Sequence, residues 1–528
     1  MTHHPLLDQT AQPGIRGPRA LFEAIAEAIA ARPAATVISA GGRRLSHADL
    51  LARARDVQGC LPQPVGTGED VVAICTEKTP EAIAAILGVL ASGRAYAPLD
   101  PTHPGARLMG ILSDLRPAAL IVDAATRATL APWAEGAGVP LIDLARGPAP
   151  GTTGQLYPPS AQALCAVLHT SGSTGKPKRV EICAPAIDAF QDWVTEAFRI
   201  APSDCLVSHA PLAFDLSFLD LFVPLMTGAD LALADAACAR NGGALLRMLE
   251  ATEATVWHSA PSALTLLAQA GRNTQLPHMR RVLFAGEPMP AHTLQALFHL
   301  FPNARFVNIY GCTETNDTFY YEVPRTNPPD PLPLGHKLPY VDYLIVDAAD
   351  QPLGGPCEGE LWVTCPTMMR GYADPQLTRK VTVRHGGQLY YRTGDIVVRN
   401  DAGLLTFIGR RDAVVKLNGV RVDLGEVDRA LQGHPQVSEA ATFLFPTAAG
   451  LVLYAWVTPE DASLNSLDLR QYLAQLLPAA ALPKRYILDD AGLPKNSNGK
   501  ACRRQLVQYA AQHAKPPAPA DPTTSPRP

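Results

Sequence analysis

The chain has 528 residues, of which 47% are hydrophobic and 18% charged, and its formal net charge is −4. This length exceeds one ordinary core, so we expect several domains, and a slightly acidic chain without basic blocks is not typical of a nucleic-acid-binding protein. The ten scattered cysteines show no Cys-x-x-Cys spacing, which indicates reduced thiols in a cytoplasmic protein rather than a zinc site or disulfide framework. No apolar run reaches the ~20 residues that cross a bilayer, so no membrane partner is expected.

Strands and helices alternate in the first part of the chain. Helical spacing over residues 19–31 precedes a strand at Thr36–Ser39, and Ser46 is expected to cap a helix that begins at His47. A buried strand at Val71–Cys75 is followed by a helix with Pro80 in its first turn. This alternation predicts a layered α/β domain with a largely parallel sheet.

A loop rich in glycine and hydroxyl groups follows an apolar run at residues 163–168. It reads His-Thr-Ser-Gly-Ser-Thr-Gly-Lys-Pro-Lys over positions 169–178. Its glycines allow close approach to an anion, and its hydroxyls and lysines supply donors and positive charge, which favours polyphosphate binding. The alternative is a solvated surface turn, because the spacing of a Walker A loop is absent.

Further loops follow predicted strands and carry polar side chains. Asp215 precedes an apolar helix at 218–226, where it is either the N-cap or a carboxylate facing an ammonium in a pocket. The segment 305–315 ends a strand with Tyr310, Thr313 and Glu314, which offer a flat ring, a hydroxyl and an oxygen ligand suited to magnesium. The alternative for Glu314 is a solvated acid in a loop.

The last third of the chain predicts a different architecture. Segments 359–363, 388–391, 395–398 and 405–408 are typical of antiparallel strands, and Asn418-Gly419 predicts a hairpin turn. We predict a flexible N-terminus at 1–17, a large domain at 18–411, a small α+β domain at 412–512 and a disordered Pro-rich tail at 513–528.

Six stretches in order carry a family resemblance: 95–101, 170–178, 308–315, 391–395, 409–426 and 493–500. Together they resemble the adenylate-forming superfamily of acyl-CoA synthetases, nonribosomal peptide synthetase adenylation domains and luciferases. The sequences at 96–101 and 420–426 are similar to those of the peptide synthetase branch. The resemblance implies an α/β fold with a large multi-subdomain N-terminal domain, layered α/β plus a distorted β-barrel, and a small mobile α+β C-terminal domain.

The resemblance also implies a reaction. ATP, with Mg²⁺, activates an amino acid as its aminoacyl adenylate, and the acyl group passes to a phosphopantetheine thiol on a separate carrier protein, in nonribosomal peptide or secondary-metabolite biosynthesis. Lys500 corresponds to the family's catalytic lysine, although the local pattern alone is that of a solvated turn. The other implied roles are pyrophosphate binding by Thr170, Ser171, Ser173, Thr174 and Lys178; ATP or AMP binding by Gly172, Gly175 and Gly311; adenine stacking by Tyr310; α-phosphate contact by Thr313; Mg²⁺ binding by Glu314; and ribose binding by Asp395 and Arg410.

A conformational change is implied as well. Asp412 resembles the family's hinge, about which the small domain rotates between half-reactions. That rotation exchanges Lys500 for a hairpin that contains Lys416 and Gly419. One departure is visible at Arg179, where the family usually has glycine, and it implies an altered loop or, alternatively, a damaged first half-reaction.

The motifs also place a substrate pocket. Its implied lining is Phe214, Asp215, Leu216, Leu219, His258, Leu283, Ala285, Ile309, Asp317 and Thr318, together with Lys500, and Trp257 is the alternative to His258. Asp215 would pair with the substrate's amino group, and the mostly aliphatic wall suits a compact amino acid. Asp317 is unusual, because a buried carboxylate is costly unless it is paired.

Several alternatives stay open at the level of sequence. Proline-like, β-amino and cationic amino acids all fit the pocket. A carrier site of the Gly-Gly-x-Ser type is not found before the tail, so the thiol is expected on another molecule, a carrier protein or free coenzyme A. The alternative functions are an acyl- or aryl-CoA ligase and a non-catalytic binding module that keeps the fold.

Overall fold

The computed structural model describes residues 18–63, 70–146, 164–170, 177–411, 414–417, 419–447, 450–460, 463–489, 492–494 and 503–513. Their contacts divide the chain into a larger unit that ends at Val422 and a smaller unit that begins at Asp423. The predicted domain boundary, between residues 411 and 412, precedes this division by one β-hairpin. The predicted flexible N-terminus lies outside the described residues, as does the predicted tail beyond His513.

The larger unit contains both helices and strands. Its helices, in chain order, are α1 (Pro18–Ala31), α2 (His47–Cys60), α3 (Pro80–Ala91), α4 (Gly105–Leu115), α5 (Ala124–Ala137), α6 (Ala184–Ala197), α7 (Ser217–Thr227), α8 (Ala236–Ala239), α9 (Gly242–Thr252), α10 (Pro261–Ala270), α11 (Ala291–Leu300) and α12 (Pro375–Val381). Its strands are β1 (Thr36–Ser39), β2 (Arg44–Ser46), β3 (Val71–Cys75), β4 (Ala95–Pro98), β5 (Ala119–Val122), β6 (Leu141–Asp143), β7 (Leu164–Thr170), β8 (Lys178–Cys183), β9 (Cys205–Ser208), β10 (Asp230–Leu233), β11 (Val256–Ser259), β12 (Arg281–Ala285), β13 (Arg305–Cys312), β14 (Asn316–Val323), β15 (His336–Lys337), β16 (Asp342–Val346), β17 (Cys357–Thr364), β18 (Gly371–Tyr372), β19 (Thr382–His385), β20 (Gln388–Arg399), β21 (Leu405–Arg410), β22 (Val414–Leu417) and β23 (Val420–Asp423).

Helix starts in the first part of the chain follow the predicted capping signals. The Ser46 hydroxyl accepts the Asp49 N–H at 3.0 Å and caps α2. The Thr79 hydroxyl caps α3 in the same way, with Pro80 in its first turn. Both predicted helix starts are therefore confirmed.

Two large mixed sheets form the framework of the larger unit. The seven-stranded sheet has the order β18-β8-β7-β4-β3-β5-β6, and the nine-stranded sheet has the order β15-β14-β13-β12-β11-β9-β10-β1-β2. The central strands are parallel, whereas antiparallel strands lie at the edges. The largest core cluster joins Val72 of one sheet and Leu231 of the other with residues of α3 and α7. Helix α3 is therefore apolar on nearly all sides, as expected for a helix enclosed by protein.

The antiparallel region forms a third sheet. This five-stranded sheet has the order β16-β17-β20-β19, with β21 also paired to β20. Two predicted strands, at 388–391 and 395–398, are one continuous strand, β20, so the predicted break between them is wrong. The Asn400 side chain accepts the Leu404 N–H at 2.9 Å and closes the turn between β20 and β21.

The smaller unit combines helices with a three-stranded sheet. Its elements are α13 (Leu424–Gln432), β24 (Val437–Thr447), β25 (Gly450–Pro459), α14 (Ser466–Ala474), β26 (Arg485–Leu488) and α15 (Arg503–His513). The Asp428 carboxylate ties this unit together, since it accepts hydrogen bonds from the Thr442 hydroxyl at 2.6 Å and the Arg503 guanidinium at 2.7 Å.

This architecture confirms the predicted α/β class, with a large unit followed by a small α+β unit. Across the described ranges, every helix falls short of the length or the apolar character that a bilayer crossing demands.

Candidate active site

The carboxyl ends of β11, β12 and β13 form one wall of the candidate pocket. Strand register sets His258 beside Leu283, and Ala285 beside Ile309. Leu219 from α7 packs into the same hydrophobic cluster as these leucine, alanine and isoleucine side chains. The crevice of an α/β sheet lies at this edge of the strands, so the predicted aliphatic wall is assembled where a ligand would bind.

Strand alternation decides between His258 and Trp257. Val256 belongs to the wall cluster, and His258, two residues further along the strand, shares its face. Trp257 packs instead into a different hydrophobic cluster, where its ring lies 5.8 Å from that of His209. Burial lowers the pKa of His258 to about 4, so this ring is neutral near pH 7.

A tight β-hairpin, β13–β14, carries most of the predicted polar residues. Asn316 adopts a left-handed backbone conformation with φ of 55°, and Gly311 lies opposite Asp317 at a register shift. A Cβ atom on Gly311 would meet the Asn316 carbonyl oxygen at 2.1 Å, so only glycine fits there. The Thr318 hydroxyl donates to the Tyr310 carbonyl at 3.2 Å and fastens the two strands.

Two carboxylates, Asp215 and Asp317, share the electrostatic environment of this hairpin. Burial raises the pKa of Asp215, and the nearby Lys416 ammonium and Thr313 hydroxyl oppose that rise. Burial and the charge of Asp215 raise the pKa of Asp317 to about 7, again against the effect of Lys416. Each acid is thus sensitive to any positive charge that enters the pocket.

Asp215 is not the helix cap that the local pattern favours. Helix α7 begins after Leu216 as its N-cap, without a side-chain capping bond. The Asp215 carboxylate accepts the Leu216 N–H at 3.0 Å. The half-buried Phe214 closes a turn, because its N–H donates to the Pro211 carbonyl at 3.0 Å. Asp215 therefore lies outside the helix, where Thr313 and Glu314 of the β13–β14 hairpin influence its carboxylate.

Tyr310, Asp395 and Arg410 form a second polar group. The Tyr310 hydroxyl and the Arg410 guanidinium each donate to a different oxygen of Asp395. Asp395 and Arg410 are paired across β20 and β21, and the Asp395 N–H donates to the Thr393 hydroxyl at 3.0 Å. An ionised carboxylate has about four acceptor positions, so Asp395 keeps acceptor capacity for hydroxyl donors of a ligand.

The residues predicted to bind phosphate lie around Tyr372. Strands β7 and β8 pair Thr170 with Lys178 at the base of the glycine-rich loop. The Lys178 ammonium lies 5.4 Å from the centre of the Tyr372 ring, whose hydroxyl donates to the buried Glu314 carboxylate at 2.5 Å. Glu314 suits Mg²⁺, which proteins usually hold through one or two carboxylates together with phosphate oxygens.

Arg179 has a clear structural role. Its guanidinium donates to the Asp114 carbonyl at 3.1 Å and the Leu115 carbonyl at 3.5 Å, and lies 3.4 Å from the Asp114 carboxylate. It therefore satisfies the C-terminal carbonyls of α4, where a basic side chain is favourable.

The hairpin β22–β23 contacts the candidate site within the larger unit. The Lys416 ammonium donates to the Gly311 carbonyl at 3.1 Å, and the Gly419 N–H donates to the Glu287 carboxylate at 2.6 Å. The second oxygen of Glu287 accepts the Ser262 N–H at 3.2 Å, so this side chain links the hairpin turn to α10.

Ser171, Gly172, Ser173, Thr174 and Gly175 lie outside the described residues, as do Lys500 and Asp412.

Three neighbouring side chains were not predicted: Glu287, Tyr340 and Tyr372. Glu287 lies two residues beyond the apolar strand β12, and a polar residue just past a strand end is the one sequence signal for it. The two tyrosines come close to the acids only through tertiary packing.

The groups predicted to bind nucleoside and phosphate, together with two buried carboxylates on an α/β framework, form the arrangement expected of a nucleotide-dependent adenylate-forming enzyme. Residues 25–373 match the AMP-binding enzyme family, and residues 426–500 match the AMP-binding enzyme C-terminal domain. The chain therefore belongs to the AMP-binding enzyme family.

Relatives and a solved structure agree with this membership. The chain is 33% identical over 523 residues to an L-proline–[L-prolyl-carrier protein] ligase of Streptomyces coelicolor, covering 93% of this chain and 96% of that protein. It is 34% identical over 497 residues to the phenyloxazoline synthase MbtB of Mycolicibacterium paratuberculosis, covering 90% of this chain but 41% of that protein. The fold resembles the adenylation domain AlmE of Vibrio cholerae, crystallised with glycyl-adenosine-5′-phosphate, with a TM-score of 0.80, 22% identity and coverage of 97% of this chain and 100% of that chain.

Proposed function

We propose that this protein activates an amino acid as its aminoacyl adenylate and transfers the acyl group to the phosphopantetheine thiol of a separate carrier protein. The observation that carries the proposal is Asp215, a carboxylate free of the α7 cap and set beside the Thr313 hydroxyl of the β13–β14 turn. An acid at this point pairs with the α-ammonium of an amino acid whose carboxylate lies toward the phosphates. The S. coelicolor relative, named a ligase of proline and a carrier protein, supports the same reaction.

The nucleotide would occupy the polar groups around the hairpin. Asp395 would accept from the ribose hydroxyls while Tyr310 and Arg410 hold its two oxygens in place. The Tyr310 ring, packed edge-on against Phe319 with a centroid distance of 6.0 Å, would offer its other surface to adenine.

The first half-reaction joins two anions, so it requires positive charge at the phosphates. The substrate carboxylate attacks the α-phosphorus of ATP, a P–O bond forms, and pyrophosphate leaves. Lys178 would stabilise the pyrophosphate side, Thr313 would contact the α-phosphate, and Lys500 would bridge the carboxylate and the phosphate. Mg²⁺, when bound by Glu314 and phosphate oxygens, would add further positive charge.

The second half-reaction requires a thiol. The thiolate attacks the acyl carbon, a C–S bond forms, and AMP leaves with both electrons of the broken C–O bond. The contacts of Lys416 and Gly419 beside the acidic pocket support a role for this hairpin in the thioester-forming state. Asp412 remains the proposed hinge for the exchange with Lys500.

Exchange of pyrophosphate into ATP across a full amino acid panel tests the proposal. We expect at least one amino acid to support exchange, and Asp215→Ala to lower its kcat/KM by about 100-fold. Asp342→Asn is the matched control, because the Asp342 side chain is 62% exposed and pairs with the surface residue Lys337.

A second measurement follows the acyl group onto its acceptor. Mass spectrometry of a holo-carrier protein incubated with enzyme, ATP and the best amino acid should show the thioester mass increase. Exchange that is strongest with amine-free acids and insensitive to Asp215→Ala would instead identify an acyl- or aryl-CoA ligase. A panel without any exchange would favour the non-catalytic alternative.

A further inference from the structure

The candidate pocket contains one more acid than the α-ammonium of an ordinary amino acid needs. Asp215 accounts for that ammonium under the proposed function, on which the present inference rests. Asp317 sits across the register shift from Gly311, on the strand that returns from the turn. Tyr310 and Arg410 donate to Asp395, and among the described residues Asp317 takes no part in that group.

The Asp317 carboxyl is enclosed and lacks a direct partner in the described part of the chain. The residue is 7% exposed, and its N–H donates to the Asn316 side chain at 2.8 Å, but its carboxylate receives no hydrogen bond from any described residue. A buried carboxyl without a donor is unfavourable, so a ligand that supplies one gains binding energy there.

A second group without a partner lies near Asp317. The Tyr340 hydroxyl is buried and has no hydrogen-bond partner among the described residues. The Leu338 N–H donates to the Thr318 carbonyl at 2.9 Å, so the segment that carries Tyr340 lies beside the strand that carries Asp317. Burial is the main cause that raises the pKa of Tyr340, and the charges of Cys365 and Asp317 add to it. A carboxylate and a phenol oxygen together offer two acceptors, whereas an ammonium brings three donors.

Lys416 does not meet this need. Its ammonium donates to the Gly311 carbonyl. Its positive charge lowers the pKa of Asp317, but burial and the charge of Asp215 still raise that pKa to about 7. The surrounding wall of Leu219, Leu283, Ala285 and Ile309 is aliphatic, which suits the methylene stem of a substrate side chain.

We propose that Asp317, assisted by the Tyr340 hydroxyl, binds a second cationic nitrogen on the substrate side chain, so that the preferred amino acid is a short-chain diamino acid. Proline, the substrate in the name of the S. coelicolor relative, has no such nitrogen. Asp317, as one acid on an otherwise aliphatic wall, thus makes the pocket less suitable for a proline-like substrate.

The experiment compares substrates of equal size. Pyrophosphate exchange is measured with L-2,4-diaminobutyrate against L-norvaline, with L-ornithine against L-norleucine, and with L-proline. Each pair differs only by an ammonium in place of a methyl group. We expect kcat/KM for the better diamino acid to exceed that of its neutral partner, and of proline, by about 100-fold or more, as for sites built around a substrate donor.

Two variants assign the preference to Asp317. Asp317→Asn should reduce the ratio of kcat/KM between the diamino acid and its neutral partner by about 10- to 150-fold, the range of a hydrogen bond to a charged group. The circular dichroism spectrum and the midpoint of thermal unfolding, compared with those of the wild type, verify that the variant is folded. The surface control Asp342→Asn should leave the ratio unchanged.

The outcomes separate this inference from the proposed function. Exchange in the wild type that is strongest with proline or another neutral amino acid would overturn the diamino acid assignment and leave the amino acid ligase intact. A cationic preference that survives in Asp317→Asn would overturn the role of Asp317. The absence of exchange with every amino acid would instead count against the proposed function itself.

Discussion

The Asp317 carboxyl should make the folded protein less stable as the pH rises from about 4 to about 7. Its pKa is raised from 3.8 to about 7 by burial and by the charge of Asp215. Below the ordinary pKa of 3.8, Asp317 is protonated in both the folded and the unfolded state. Between pH 3.8 and about pH 7 only the folded state keeps the proton, so the free energy of unfolding falls as the pH increases. Above about pH 7 Asp317 is ionised in both states and no longer makes the free energy of unfolding depend on pH. The total loss of stability from this group is about 4 kcal/mol.

Urea denaturation of the wild type and Asp317→Asn between pH 4 and 9 measures this effect. The difference in the free energy of unfolding should move in favour of the variant by about 4 kcal/mol between pH 4 and pH 8, because asparagine does not ionise. The groups that share its environment are Asp215, Lys416 and Tyr340.

A second variant tests the cause of the raised pKa. Asp215→Asn should move the pH-dependent step to lower pH, because it removes the negative charge that disfavours ionisation of Asp317. A difference between the wild type and Asp317→Asn that is equal at pH 5 and pH 8 would refute the reasoning.

Three further predictions address other contacts. Tyr310→Phe removes a donor to Asp395, so the KM for ATP in pyrophosphate exchange should rise about 3- to 10-fold, and an unchanged KM would contradict the nucleoside role. Arg179→Met should lower the free energy of unfolding by about 1 kcal/mol with exchange activity within threefold of the wild type, whereas a 100-fold loss would place Arg179 in the first half-reaction. Gly311→Ala should destabilise the protein by about 3 kcal/mol in denaturation experiments, because its Cβ would meet a carbonyl oxygen at 2.1 Å, while Gly110→Ala, with open space around it on α4, should be neutral or stabilising by up to about 1 kcal/mol.

Local signals predicted the elements that local physics determines. Ser46 and Thr79 cap their helices because hydroxyl side chains satisfy free N–H groups at a helix start whatever the distant surroundings. The apolar strand Val71–Cys75 was predicted with its observed bounds, since a continuous buried run has few alternatives when turn signals flank it.

Tertiary pairing decided the elements that the sequence did not predict. Strand β14 begins with Asn316, Asp317 and Thr318, of which the first two are residue types depleted in strands, and pairing with β13 overrides that preference. Strand β20 runs through Gly394, with φ of 73°, because pairing with β17 continues on both sides of it, while β19 pairs with β20 before it and β21 after it. A glycine that signals a break locally is in this case an irregularity within one strand.

The candidate site shows the same division. Strand register brings His258, Leu283, Ala285 and Ile309 together, as expected for residues at the carboxyl ends of adjacent strands. The contact of Tyr372 with Glu314 joins positions 58 residues apart and has no sequence signal, because it depends on how β18 pairs with β8.

The β13–β14 hairpin has a consequence for how new specificities arise in such a chain. One strand bears the proposed adenine contact at Tyr310, and the returning strand bears Asp317, with Gly311 and Asn316 fixing the backbone between them. Because the left-handed turn and the missing Cβ fix the path of the chain, an exchange of the side chain at position 317 leaves the first strand where it is. Natural variation, or a laboratory library confined to the returning strand, can therefore sample new substrates while the machinery for the nucleotide is inherited unchanged.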